Sequence, residues 1–179
     1  MEEFSFFYSY KNLTLRLTSD SDSIKSIDFC SKKKSSSIDD KIPYPLVMAI
    51  KWLNSYFSIG GSDSPEVEFS DPLSSNISDS SAEKKNGKIL LDLSGYTVRE
   101  IKVYKELINI KPGSRISYGE LAKKSGIPSG ARFIGNTMVK NRFPLIIPCH
   151  RVIRSDGSIG NYTGGNHIKA FLLDHEYRG

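Results

Sequence analysis

Long apolar runs are missing from this 179-residue chain. Its apolar stretches fall well short of the roughly 20 residues a membrane-spanning helix needs. The N-terminus, Met1-Glu2-Glu3-Phe4, is acidic and lacks a secretory pattern, so a soluble, cytoplasmic protein is expected. Cysteine is scarce, with only Cys30 and Cys149, which excludes a disulfide framework. Nothing favours even a single bridge between them in a reducing compartment. Neither CxxC nor HExxH occurs, and His150, His167 and His175 lack a metal-ligand spacing. No metal is therefore expected. With 38% hydrophobic and 25% charged residues, the chain supports one compact domain or two small ones. It needs no staple to bury a core.

Acidic residues are absent from a second place, the stretch between Glu120 and Asp156, which holds seven basic residues. These are Lys123, Lys124, Arg132, Lys140, Arg142, Arg151 and Arg154. The net charge of +5 is unevenly spread. Residues 1–93 carry 11 Lys/Arg and 14 Asp/Glu, a balance of −3, and residues 94–179 carry 14 and 6, a balance of +8. A solvated basic surface would look like this. So would a face that displaces counterions from a polyanion.

The first thirty residues read as strands: Phe4–Tyr8, Leu13–Leu17 and Ile24–Cys30, an antiparallel meander with a turn at Tyr10-Lys11-Asn12. Ser31–Asp40 is a polar Lys/Ser run that reads as a mobile loop. Pro45–Phe57 reads as a helix with Leu46, Ile50, Leu53 and Phe57 on one face, ended by Gly60-Gly61. Residues 62–87 are a flexible Ser/Asp-rich loop with one short strand at Val67–Phe69, and Ile89–Leu93 is a further strand. From Gly95 the pattern turns helical. Thr97 caps a helix to Ile110 with Val98, Ile101, Tyr104, Leu107 and Ile108 inward. Ser117 with Glu120 makes a capping box for Tyr118–Lys124. Ser129 opens a second helix, Gly130–Lys140, so the pair forms a candidate helix-turn-helix around Gly126-Ile127-Pro128.

Pro144–Ile147 reads as a buried strand that stops at Pro148, before Cys149-His150-Arg151-Val152. A local turn at Pro148 would let Cys149 and His150 approach one pocket, whereas a continuing strand would send them apart. A lone cysteine among apolar residues is usually a small core residue, and Cys30 is read that way. Cys149 differs in having His150 and Arg151 beside it, which can favour a thiolate. Gly157, Gly160, Gly164 and Gly165 around Tyr162 imply tight turns or close approach of backbone to a ligand.

Ile147-Pro148-Cys149-His150-Arg151-Val152 resembles the active-site signature of the O6-alkylguanine-DNA alkyltransferases. Ser117-Tyr118, Ala131-Arg132, Met138, Asn141, Gly160-Asn161-Tyr162, Gly164-Gly165, Lys169 and His175-Glu176 fall at that family's spacing from the cysteine. The resemblance covers residues 88–179 closely and residues 1–60 in outline. It implies single-turnover, cofactor-free transfer of an alkyl group from O6 of guanine, and from O4 of thymine, to Cys149. It also implies that His150 deprotonates Cys149 through a bridging water, that Glu176 supports His150, and that Tyr118 donates a proton to the departing guanine.

By the same resemblance Asn141 is a hinge between the recognition helix and the active site. Arg132 enters the base stack, with Ser129, Ala131, Gly135, Lys140 and Arg151 on the DNA. Met138, Val152, Ile159, Gly160, Tyr162 and Thr163 line the base pocket, and Lys169 meets the hinge or active-site loop. The implied partner is double-stranded DNA, gripped in the minor groove with the alkylguanine flipped out. A monomer is implied, with clustering of copies on one duplex left open. The implied fold is an α/β domain with an antiparallel sheet, ribonuclease H-like, over residues 1–93, and a mainly helical winged helix-turn-helix domain over residues 94–179.

Four positions depart from the family's usual residues: Arg142 for proline, Tyr104 for tryptophan, Asn136 for a small residue and Thr163 for serine. The zinc ligands of some relatives are missing, so no zinc is expected. Two other readings compete. An alkyltransferase-like lesion binder would lack the cysteine. A thiol hydrolase would leave the helix-turn-helix and the basic stretch unexplained.

Overall fold

The computed structural model describes residues 2–31, 42–58, 65–70 and 87–177. The Lys/Ser run from 32, Gly60-Gly61 and most of the 62–87 loop lie outside the described residues. The chain divides into two compact units: Met1–Leu53 with Pro65–Tyr96, and Asn54–Ser64 with Thr97–Gly179.

In the first unit β1 (Phe4–Tyr10), β2 (Leu13–Ser19) and β3 (Ile24–Phe29) form the expected meander. Alternation marks the edge strand β1. By contrast β2 exposes only Arg16, which pairs with Asp28 across the sheet. Helix α1 (Tyr44–Ser58) follows, then β4 (Val67–Ser70) and β5 (Ile89–Asp92). The sheet order is β1-β2-β3-β5-β4, with β5 parallel to both β3 and β4. The sheet is therefore mixed, not antiparallel as the sequence suggested. A strand that returns after a helical crossover enters parallel, and hairpin signals say nothing about such strands. Leu15, Leu17, Ile24 and Leu91 form a sealed core, and Leu46, Ile50 and Leu53 of α1 are buried.

The second unit runs α2 (Val98–Ile108), β6 (Ile116–Ser117), α3 (Tyr118–Lys124), α4 (Ala131–Val139), a 3-10 turn (Cys149–Arg151), β7 (Val152–Ile153) and α5 (Asn166–Tyr177). The last turn of α1, with Tyr56 and Phe57, belongs to this unit. Thr97 and Ser117 each close a capping box, with Glu100 and Glu120, and so fix the starts of α2 and α3. Ile101, Tyr104 and Leu107 face inward as expected, but Val98 is 63% exposed. It sits in the first turn of α2, ahead of the stripe that packs.

The start of α4 also differs. Ser129 adopts φ 61° and leaves the cap to Gly130, which makes no side-chain cap bond. A Cβ at Gly130 would lie 2.5 Å from the Ile127 side chain, so this tight turn requires glycine. α4 is held at two further points. Tyr104 Oη donates to the Thr137 carbonyl at 2.8 Å, and Lys140, the C-cap of α4, pairs with Glu100 at 2.6 Å.

The expected strand at Pro144–Ile147 does not form. These residues make a buried turn with Leu145 at φ 70°, closed by Ile147 N–H donating to the Phe143 carbonyl. A short apolar run reports burial, not extension. Among the described residues no helix is long and apolar enough to cross a membrane.

Candidate active site

The buried turn 144–147 exists because of one side chain. Asn141, the residue after the α4 cap, accepts from Phe143 N–H at 2.9 Å. Its Nδ2 donates to the Ile147 carbonyl at 2.9 Å and lies 3.1 Å from Cys149 Sγ. These bonds reverse the chain between α4 and the 3-10 turn that presents Cys149, and they aim an amide at the sulfur. The 3-10 turn sends Cys149 to one side and the next two side chains, His150 and Arg151, into the interior.

Cys149 lines a 450 Å³ pocket together with Tyr118, Gly135, Met138, Tyr162 and Thr163. Asn136, Val139, Arg154 and Asn161 complete the wall. Of these four, Asn136, Arg154 and Asn161 were visible in the sequence, as a departure, a basic residue and part of the Gly160-Asn161-Tyr162 match, with no pocket role attached. Val152 and Ile159 do not line this pocket. Val152 is fully buried and offers its carbonyl to Lys169 Nζ at 2.6 Å. Gly160 lies beneath Tyr118: a Cβ there would stand 3.5 Å from the Tyr118 hydroxyl.

The electrostatics of the pocket oppose each other. Burial pushes the Cys149 thiol up, while the hydrogen bond from Asn141, the neighbouring Tyr162 hydroxyl and the Lys169 cation pull it down. Burial also lowers Lys169 to about 8, against the attraction of Cys149. Tyr118 and Tyr162 are both raised, by burial first and by Cys149 second, so both phenols stay protonated donors.

Behind the sulfur lies a sealed polar cluster centred on Glu176 of α5. Oε1 is 2.8 Å from His150 Nε2, 2.9 Å from Tyr56 Oη and 2.7 Å from an Arg151 guanidinium nitrogen. Oε2 accepts from Gly113 N–H at 3.1 Å, and Arg151 Nε reaches both oxygens at 3.1 Å. Burial alone would raise this carboxyl, but the bonds from His150 and Arg151 hold it far below its ordinary value. His150 is lowered as well, by burial against the pull of Glu176. The imidazole is therefore neutral with Nε2–H on the carboxylate. Nδ1 is left as an acceptor with no partner among the described residues.

Arg151 was expected on DNA. Instead it is 2% exposed, with its guanidinium bound to Glu176 and to the Ile110 carbonyl. A cation so enclosed cannot reach a phosphate; it neutralises Glu176. Ser129, Ala131 and Arg132 are exposed at the start of α4, and Arg132 forms no ion pair or side-chain hydrogen bond among the described residues. Lys140 is exposed but engaged with Glu100.

Tyr56 was missed. It sits on α1, far from the signature in sequence, and nothing in its helical spacing distinguishes it from the apolar face it shares with Phe57. Tyr56→Phe is expected to destabilise the second unit by about 1.5–3 kcal/mol, the range for a hydrogen bond to a charged group. Denaturant unfolding checks this, and a loss under 0.5 kcal/mol contradicts it.

Residues 99–178 match the family model described as the DNA-binding domain of 6-O-methylguanine DNA methyltransferase. The methylated-DNA–protein-cysteine methyltransferase of Homo sapiens is 37% identical over 136 residues, 75% of this chain and 56% of that protein. Its counterpart from Rattus norvegicus is 51% identical over 75 residues, 41% of this chain and 36% of that protein. The chain thus spans about half or less of the length of these curated relatives. The crystal structure of Mycobacterium tuberculosis OGT in complex with DNA superposes with a TM-score of 0.70 at 27% identity, covering 97% of this chain and 93% of that one.

Proposed function

We propose that the chain acts as an O6-alkylguanine-DNA alkyltransferase, repairing alkylated DNA by moving the alkyl group from O6 of guanine, or O4 of thymine, to Cys149. The observation that carries this reading is the placement of the sulfur. Cys149 lines a pocket with two protonated phenols, and it adjoins a buried base whose free nitrogen is an acceptor.

The chemistry follows from these groups. A free thiol is mostly protonated at neutral pH, and burial raises Cys149 further. Ionisation must therefore be prompted. His150 Nδ1 takes the thiol proton through a water, and the resulting imidazolium is stabilised by Glu176, which Arg151 and Tyr56 keep anionic. The Asn141 amide and the Tyr162 hydroxyl stabilise the thiolate. The thiolate attacks the alkyl carbon, a C–S bond forms and the C–O6 bond breaks. The bonding pair passes to the guanine, and Tyr118 supplies a proton to that base. The product is a thioether with no leaving group, so each molecule acts once.

The target carbon lies inside a stacked duplex. Extruding the nucleotide costs a few kcal/mol. We assign Arg132, exposed at the start of α4, to the gap left in the stack, with the minor groove as the docking face and Ser129, Ala131, Gly135 and Lys140 beside the backbone. Residues 94–179, joined by the end of α1 with Tyr56, form the DNA-binding and transfer domain, acting as a monomer, and the rest of residues 1–93 supports it. The three-stranded meander with parallel strands added beside it supports a ribonuclease H-like assignment for that part. The reading puts the protein with DNA, in the cytoplasm of a prokaryote or the nucleus of a eukaryote.

Stoichiometry tests the proposal. Incubated with excess O6-methylguanine duplex, the protein is expected to consume one methyl group per molecule and stop. Continued turnover points to a hydrolase; binding without consumption points to a lesion binder.

A further inference from the structure

A second cleft, of 560 Å³, opens on the other side of α3 from the reaction pocket. The two share no lining residue. At about 100° per residue, Glu120, Lys123 and Lys124 lie roughly 200°, 140° and 240° around α3 from Tyr118. They therefore face away from the helix side that meets Cys149. Lys111 and Arg115 reach the same cleft from the loop between α2 and β6.

All four cations are exposed, and none takes part in an ion pair or side-chain hydrogen bond among the described residues. That sets them apart from the other basic side chains of this unit that meet a carboxylate: Lys140 is paired with Glu100, and Arg151 with Glu176. The one carboxylate in the cleft is occupied locally. Glu120 Oε2 accepts from Ser117 N–H at 2.9 Å and from Ser117 Oγ at 2.7 Å; these bonds, and after them the charges of Lys123 and Lys124, lower the carboxyl. Lys123 and Lys124 suit the C-terminus of α3, where a helix favours cations. Arg115 lies at neither helix end. Glu120 offsets only part of the charge of the four cations around this cleft, and the remaining repulsion is relieved when an anion joins them.

We propose that this cleft binds the phosphate backbone of a second DNA segment, distinct from the one presenting its base to Cys149. The proposal rests on the DNA-repair reading of the reaction pocket. A straight duplex docked against the Tyr118 side of α3 does not also reach the opposite side of the same helix, which favours a separate segment. Phosphate contacts carry no sequence preference and are exchanged readily, so such a surface lets the protein pass between neighbouring segments while searching for damage.

The test is capture in trans. Wild-type protein, bound to an immobilised O6-methylguanine duplex, is expected to retain a free lesion-free duplex at low salt. Lys111→Gln combined with Arg115→Gln is expected to reduce that retention at least about tenfold, from the loss of two phosphate contacts. Methyl transfer to Cys149 is measured in the same samples and should be unchanged. Equal retention by variant and wild type, or none by wild type, overturns the proposal. So does a variant whose salt dependence falls already with a single duplex, because the cations then serve the duplex at the reaction pocket. A wild-type protein that takes up no methyl group would instead sink the reading of the reaction pocket, whatever the capture result.

Discussion

A Cys149→Ser protein is expected to bind an O6-methylguanine duplex and leave the methyl group where it is. The substitution is nearly isosteric, and the site around it is held by other residues: Asn141 bridges to the Ile147 carbonyl and Phe143 N–H independently of the sulfur. The fold and the α4 face should therefore persist. What disappears is the nucleophile. A serine hydroxyl ionises far less readily than a thiol, and displacement at an alkyl carbon favours a soft, anionic attacker. Transfer should fall to the rate without protein, while affinity for the duplex stays within a few-fold of wild type. Gel-shift titration and radiolabel transfer measure the two separately. Residual transfer near the wild-type rate would move the acceptor elsewhere.

Glu176→Ala is expected to cost both stability and chemistry. It strips the counter-charge from Arg151, which is 2% exposed, and the orienting acceptor from His150, which is fully buried. Breaking a buried pair by removing one partner typically costs about 3–5 kcal/mol. The Tyr56 hydroxyl and Gly113 N–H lose their acceptor as well. Glu176→Gln retains the shape and one acceptor oxygen but no charge, so it should fold better yet transfer slowly. The pH dependence has a definite sign. Glu176 is held below its ordinary value of 4.5, so its contribution is complete above that pH and is lost as the pH falls further. Wild type should lose stability on acidification below 4.5 more steeply than Glu176→Gln does. Parallel acid-unfolding curves would contradict this.

Asn141→Ala is expected to have a mixed outcome. Two buried backbone groups lose their partner, at about 1–3 kcal/mol each. The thiol loses one of the bonds that lower it, so the pH at which Cys149 reacts with a small alkylating agent should rise. An unshifted reactivity profile would remove Asn141 from the site's electrostatics.

Much of the second unit was legible because its local signals agree with its tertiary structure. The Thr97 cap, the Ser117–Glu120 capping box, a glycine-bearing turn and the stripe Ile101, Tyr104, Leu107 each report on their own neighbourhood, and each is present. Signals failed where a distant partner decides. Pro144–Ile147 has the composition of a strand, but one amide from Asn141 folds it into a turn. Arg151 sits in a basic stretch, and nothing local says that a glutamate 25 residues away will bury it. Tyr56 is the extreme case, a residue 120 positions from its partner. The mixed sheet belongs to the same class, since strand direction after a crossover is set by packing. Met138 was reached only through the resemblance, because no local pattern marks a side chain as facing a cavity.

The most direct measurement is the mass of one peptide. After exposure to an O6-methylguanine duplex, the proteolytic fragment carrying Pro148-Cys149-His150 should be heavier by a single methyl group, with fragmentation assigning it to the sulfur. An unmodified fragment from protein that has bound the duplex, or a methyl group found on Cys30 instead, would contradict the account.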